Sequence, residues 1–232
     1  YDMDSIVVVE VMGRNAGWLA LSAGLARGPF GKPAADLIYL PEFPFSEEQL
    51  VADIQKVRSE KRQVVVVISE GIQNAHGERI AEAKTKDSFG HGQLGGAAKQ
   101  VEAIIKARIG GKVRAVELNV PQRAAGHCLS ATDIVESVQI GQAAVDAAWN
   151  GESGVMVTTE RAKEGSYRLM IGTTDIIHIA NQEKIVPESY VNQEKNHLSP
   201  AGLAYLAPLI QGEISAPVEA GLPRYAYLSE WQ

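Results

Sequence analysis

With a single cysteine, Cys128, this chain of 232 residues cannot form an intrachain disulfide, which points to a reducing compartment. Cys128 itself reads as a small core residue. Long apolar runs are missing too: no stretch approaches the roughly 20 residues that a membrane span needs. No cationic leader with an apolar core opens the sequence, and the reading is cytoplasmic. Positive charge is scarce, with 22 Lys and Arg against 28 Asp and Glu and a formal net charge of −6. Nucleic acid and an anionic membrane would both be repelled and are excluded as main partners. An anionic small ligand would need a local basic pocket. His76, His91, His127, His178 and His197 lack metal-ligand spacing, and no G-x-x-x-x-G-K-[ST] is present, which argues against a histidine-bound metal and a P-loop.

What is present is alternation. The stretch at 7–17, VVVEVMGRNAG, runs a β-branched strand into a tight Gly-containing junction and then into an Ala/Leu-rich helical face at 16–25. In an open parallel sheet such junctions lie where ligands bind, and free N–H groups at the helix start would receive an anion beside the planar fork of Arg14. A strand at 36–40 follows, then a capping-box helix from Ser46, a buried strand at 64–68 and a polar loop at 73–93, with GQLGG at 92–96 where the loop meets the next helix. Next come a helix at 94–109, a strand at 113–118, a loop at 119–126 and a long helix opened by Ser130. The expected class is α/β, a parallel sheet of βαβ units with helices on both faces. The texture then changes to a smaller mixed α/β C-terminal part, so the division is 1–160 and 161–232. From 154 onward come paired strands at 154–158 and 167–171 continued at 176–179, a polar connection at 181–200, a helix at 201–210 and a terminal arm at 221–231.

Polar residues gather at strand ends: Met12, Gly13 and Arg14 at one, Ser69, Glu70 and Gly71 at another, and Arg114 with 119–123 at a third. Parallel strands would bring these ends to one edge. A glutamate that accepts hydrogen bonds from sugar hydroxyls, beside arginines that clasp a phosphate, would make a sugar-phosphate pocket.

Four segments, VVEVMGRNAGWLA, ADLIYLPE, VVVVISEGI and KVRAVELNVPQR, follow one another in an order and spacing that resembles the phosphofructokinase family over residues 5–161. The resemblance implies a 6-phosphofructokinase of glycolysis, phosphorylating fructose 6-phosphate at its 1-hydroxyl with Mg2+. The residues NAGW after M-G-R look more like the pyrophosphate-dependent branch than the ATP-dependent one. By the same resemblance, Met12, Gly13 and Arg14 form the sugar-phosphate motif, with Arg14 near the phosphoryl group in flight. Glu70 binds the fructose hydroxyls, Arg123 the 6-phosphate, and Arg114 the phosphate of a neighbouring subunit's site, which implies a homo-oligomer, dimer or tetramer. Ser5 stands where ATP-dependent members have a second arginine, and Val120 where the family has His or Tyr.

The family's Gly-Gly-Asp donor motif and T-I-D segment, with the catalytic aspartate and the magnesium ligands, precede M-G-R and are not in this sequence. The sequence opens at Tyr1 and enters a strand almost at once, so the expectation is the C-terminal portion of a longer chain, inactive by itself. ATP as donor, and a non-catalytic sugar-phosphate-binding regulatory subunit, stay open as alternatives.

Overall fold

The structure is a computed structural model and describes residues 4–28, 31–86, 92–94 and 96–224. Its contacts divide the chain into two units, Tyr1–Gln122 with Glu183–Ala207, and Arg123–Gln182 with Pro208–Gln232. The division thus falls elsewhere than at residue 160, because the connection expected at 181–200 returns to the first unit and buries Val186, Val191 and Ser199.

The first unit is built on β1 (Ser5–Val11), where Ile6, Val8 and Glu10 are buried in alternation. A short α1 (Trp18–Ser22) runs on as a 3-10 turn at Ala23–Leu25 and leads to β2 (Leu37–Tyr39). Then come α2 (Glu47–Arg58) and β3 (Gln63–Ser69). The expected loop at 73–93 contains a turn closed by a Gln73–Arg79 bridge and an antiparallel pair, β4 (Glu82–Lys86) and β5 (Gly92–Leu94). Residues 87–91 of that loop lie outside the described residues. Next are α3 (Ala97–Arg108), which starts at Ala97 after Gly96 in the left-handed region, and β6 (Lys112–Glu117). The four main strands are ordered β2-β3-β1-β6 and are all parallel, with Val8 opposite Val66 on one side and Ala115 on the other.

Period-2 alternation sends Ile6, Val8, Val64, Val66, Ile68, Leu37 and Tyr39 to one face. There they pack on Leu50 and Ile54 of α2 and on Val101 and Ile105 of α3. Removing each such side chain from water contributes about 1.5–3 kcal/mol. Ile38 points the other way, where a Cβ on Gly24 would lie 3.3 Å from its Cδ1, so α1 and its 3-10 extension cover the second face. The edge strand is closed by the returning segment: Ile38 N donates to Asn196 O at 2.7 Å. Buried Asp53 of α2 accepts from Tyr39 Oη, Gln49 Nε2 and Asn196 Nδ2, and burial, with Asp53 adding to it, pushes the Tyr39 hydroxyl pKa up. The capping box is accordingly one-sided: Ser46 Oγ accepts from Gln49 N, while the Gln49 side chain turns to Asp53. In the returning segment, α6 (Pro200–Leu206) is capped by Ser199 and gives way to a 3-10 turn, Ala207–Ile210, at the position of Pro208. Two further helices come before α6 in the chain.

These are α4 (Asn119–Ala124), which replaces the expected loop and carries Pro121 in its first turn, and α5 (Ala131–Trp149). The second unit opens at the end of α4 and continues with Cys128, which is exposed, not a core residue. Ser130 Oγ caps α5 by accepting from Asp133 N at 3.1 Å. The paired strands are β7 (Val155–Arg161) and β8 (Leu169–Asp175), antiparallel with Thr158 opposite Gly172. At Ile176–His178 the chain turns in a 3-10 helix, with Asp175 accepting from Ile177 N, so the pairing does not extend there. A small hairpin of β9 (Val218–Glu219) and β10 (Leu222–Pro223) takes up the start of the expected arm, and residues 225–232 lie outside the described ones.

Candidate functional site

β1 and β3 are neighbours, yet β1 leads into α1 on one face of the sheet and β3 leads towards α3 on the other. Their carboxyl ends therefore flank a topological switch point, where an open α/β sheet leaves a crevice. The two chains leaving this point touch through glycines. Gly71 N donates to Gly13 O at 3.1 Å, Glu70 N to Val11 O at 3.0 Å, and Ser69 Oγ to Gly13 O. A Cβ on Gly71 would lie 1.8 Å from Arg14 O and 2.8 Å from Gly13 O, so no larger residue fits. Gly13 has φ +153° and its Cβ would meet Ser69 Oγ at 2.7 Å. Met12, Gly13 and Arg14 are thus brought against Glu70, as the strand-end argument expects.

Three backbone N–H groups of the junction are taken by side-chain acceptors and are not left for an anion. Met12 N donates to Gln122 Oε1 at 3.0 Å, Gly13 N to Glu70 Oε1 at 3.2 Å and Gly17 N to Glu42 Oε1 at 2.9 Å. The helix that follows, α1, has five residues and little aligned backbone to attract a phosphate by itself. The positive charge of the junction is carried by the half-buried Arg14 side chain. Glu70 uses one oxygen on Gly13, and its Oε2 takes no hydrogen bond from the described residues, so it can accept from a hydroxyl.

A second carboxylate lies close by. Glu10, buried near the end of β1, accepts from Ala98 N at 2.7 Å and so caps α3. Burial raises its pKa above the ordinary carboxylate value, and the negative charges of Glu117 and Glu70 add to this against the opposing Ala98 and Gly96 hydrogen bonds.

Arg114 is not part of this grouping. It is exposed on β6 opposite Val7, five positions before Met12 in the register, which is about 16 Å along the strand at 3.3 Å per residue. Ser5, opposite Lys112, lies towards the same amino end of the sheet. Arg114 and Ser5, the place of the second arginine in ATP-dependent members, therefore lie together, away from Glu70. Arg123 sits in the last turn of α4 and is the first residue of the second unit, directly after Gln122. Val120, in the same helix, is exposed. Among the described residues no group of three or more His, Cys, Asp or Glu could hold a metal ion.

Several residues of the neighbourhood carry no strand-end signal. Glu42 and Gln122 belong to the ADLIYLPE and KVRAVELNVPQR segments but are recognisable only by their hydrogen bonds to the junction. Asn15 accepts from Arg79 Nη2 at 2.7 Å and donates to Glu183 Oε1, while Trp18 Nε1 donates to Lys184 O at 2.6 Å. Nothing local to 183–186 announces such contacts.

A family model described as Phosphofructokinase matches residues 2–148. The chain is 39% identical over 228 residues to the pyrophosphate–fructose 6-phosphate 1-phosphotransferase of Xanthomonas campestris pv. campestris, covering 96% of this chain and 54% of that protein. It is 34% identical over 225 residues to the protein of the same name from Halomonas elongata, covering 97% and 54%. The solved pyrophosphate-dependent phosphofructokinase from Marinobacter aquaeolei superposes with a TM-score of 0.79 at 34% identity, over 94% of this chain and 51% of that one. The chain spans about half the length of the curated relatives it matches. No helix among the described residues is long and apolar enough to cross a membrane.

Proposed function

Since the chain belongs to the phosphofructokinase family, we propose that the crevice between β1 and β3 holds fructose 6-phosphate in a pyrophosphate-dependent 6-phosphofructokinase. The observation that carries this reading is the junction itself: Arg14 and the open oxygen of Glu70 are held at one switch point by the Gly13–Gly71 contact. In the complete enzyme the sugar's 1-hydroxyl oxygen attacks the terminal phosphorus of pyrophosphate, the bridging P–O bond breaks, and fructose 1,6-bisphosphate and orthophosphate leave. Glu70 accepts a hydrogen bond from a fructose hydroxyl and fixes the sugar. Arg14 neutralises charge on the phosphoryl group as it moves, which is where phosphoryl transfer gains most of its rate. Arg123 binds the 6-phosphate, and Arg114 serves the phosphate of a neighbouring subunit in a homo-oligomer. The names of the relatives support pyrophosphate over ATP. Magnesium, expected for this chemistry, would neutralise the donor; its ligands would lie outside the described residues, and no step here is assigned to it. A glycolytic enzyme of this kind works in the cytoplasm.

The test is to assay the full-length protein for fructose 1,6-bisphosphate formation with pyrophosphate and with ATP, fructose 6-phosphate being present in both. Turnover with pyrophosphate is expected. Turnover with ATP alone would reassign the donor, and binding of fructose 6-phosphate without turnover would make the protein a sensor instead of an enzyme.

A further inference from the structure

The backbone on the far side of Arg14 is fastened by a segment distant in sequence. We infer that residues 183–186 form a strap that positions Arg14, and that Glu42 is the positioning residue tying the strap to the junction; the catalytic part of this inference rests on the function proposed above. A single oxygen, Glu42 Oε1, accepts from Gly17 N and from Val186 N, both at 2.9 Å. The Asn15 side chain is held at both ends, its Oδ1 by Arg79 Nη2 and its Nδ2 by Glu183 Oε1. The Trp18 indole donates to Lys184 O, and its ring packs on Tyr205 and Tyr190 at centroid distances of 5.5 Å and 6.1 Å. Tyr205 and Tyr190 are themselves 4.8 Å apart, so the strap's far end is anchored by aromatic packing.

Arg14 is therefore bracketed. Before it, Gly13 is tied to Ser69 and Glu70; after it, Asn15, Gly17 and Trp18 are each tied to the strap or to Glu42. The fit at Gly17 is close, since a Cβ there would meet Leu40 Cδ2 at 2.8 Å and Glu42 Oε2 at 2.9 Å. Such bracketing matters for a residue acting on a transferring group, because a displacement of about 1 Å can cost about 100-fold in rate.

Glu42 acts through geometry, not through its charge. Its Oε2 is buried and takes no hydrogen bond from the described residues, while Oε1 makes both contacts. A glutamine carbonyl can make the same two contacts; an alanine can make neither.

The experiment uses the full-length protein with Glu42→Ala, Glu42→Gln and, as a surface variant that keeps the core intact, Glu183→Ala. Turnover and hydrogen exchange of the segments 14–22 and 184–190 are measured for each. For Glu42→Ala, kcat is expected to fall at least about 10-fold with KM for fructose 6-phosphate within about 3-fold, and exchange in both segments to speed up. Glu42→Gln should restore kcat to within about 3-fold of the parent and leave exchange slow, and Glu183→Ala should show a smaller fall in kcat with faster exchange at 14–22. Faster exchange with unchanged kcat overturns the positioning role. An equal loss in Glu42→Gln and Glu42→Ala overturns it too, because the charge would then be what matters. Should Glu42→Ala not fold, unchanged exchange at 14–22 in Glu183→Ala overturns the strap by itself. A parent protein with no turnover refutes the proposed function, and the exchange data still decide whether the strap holds the junction.

Discussion

The two units of the chain use the same local devices and reach different degrees of burial. In the first, α2 is opened by Ser46 and buries Leu50 and Ile54 completely. In the second, α5 is opened by Ser130 with equal economy, yet among the described residues of that unit Ala147 is the one buried apolar side chain. Val135, Val138, Val145 and Trp149 of α5 are exposed, Trp149 at 89%. Caps and periodicity therefore specify that a helix forms and where it starts, whereas burial depends on what is packed against it. The switch-point crevice, with Arg14 and Glu70, belongs to the unit with the core, and Arg123 belongs to the other.

That contrast is sharpest for the two arginines. Arg14→Ala in the full-length protein is expected to lower kcat by about 100- to 1,000-fold, the range for losing one group that stabilises charge in the transition state. Arg123→Ala is expected to raise KM for fructose 6-phosphate with a smaller change in kcat, since its proposed contact to a non-reacting phosphate would be made before and during the transfer. Steady-state kinetics separate the two, and a near-normal kcat for Arg14→Ala would remove that residue from the chemistry. Next in size is a comparison of cores by urea unfolding. Leu50→Ala should cost about 2–5 kcal/mol, and Val145→Ala within about 0.5 kcal/mol. Equal costs would break the comparison, for they would mean that Val145 is covered in solution.

The same division separates what was legible in the sequence from what was not. The apolar run at 64–68 and the β-branched run of β1 read as strands, because strands of a covered parallel sheet carry a near-continuous apolar signature. That Gly13 and Glu70 come together follows from strand ends, which short-range pattern fixes. Arg114 falls five positions before Met12, since its place depends on the register of β6 against β1, which the pattern does not encode. The 119–126 segment, with its Pro121, reads as a loop, yet 119–124 form a helix because proline is well accommodated in a helix's first turn. The contacts of Glu42, Asn15 and Trp18 with 183–186 were invisible for a different reason: they join segments far apart in sequence, and only tertiary folding brings them together.

A pH dependence specific to the cored unit follows from Glu10. Burial, the largest cause, raises its pKa in the folded chain, so between the ordinary value of 4.5 and the raised one the folded state holds the proton more often than the unfolded state. Stability from this group is therefore fully present below 4.5 and is lost as pH climbs through that window. Glu10→Gln keeps an oxygen for Ala98 N and abolishes the loss. Its unfolding free energy should match the parent's at the acid end and exceed it at pH 7. A difference independent of pH would mean that Glu10 is not the group responsible.

The smallest expected effects come from the device that both units share. Ser46→Ala removes the acceptor for Gln49 N, and Ser130→Ala the acceptor for Asp133 N. Each loss should cost about 1 kcal/mol by the usual worth of an N-cap. Ser130 also donates to Leu209 O at 2.6 Å, which leaves a carbonyl to find water in its place. Because the cap acts within one helix turn, its worth does not depend on whether the rest of the helix faces a core. Amide exchange at the first turns of α2 and α5 measures the two caps separately, and similar increases in both variants are expected. A cap that mattered for α2 and not for α5 would show that the second helix frays at its start even with its serine in place, and that packing, more than capping, decides where helices in this chain begin.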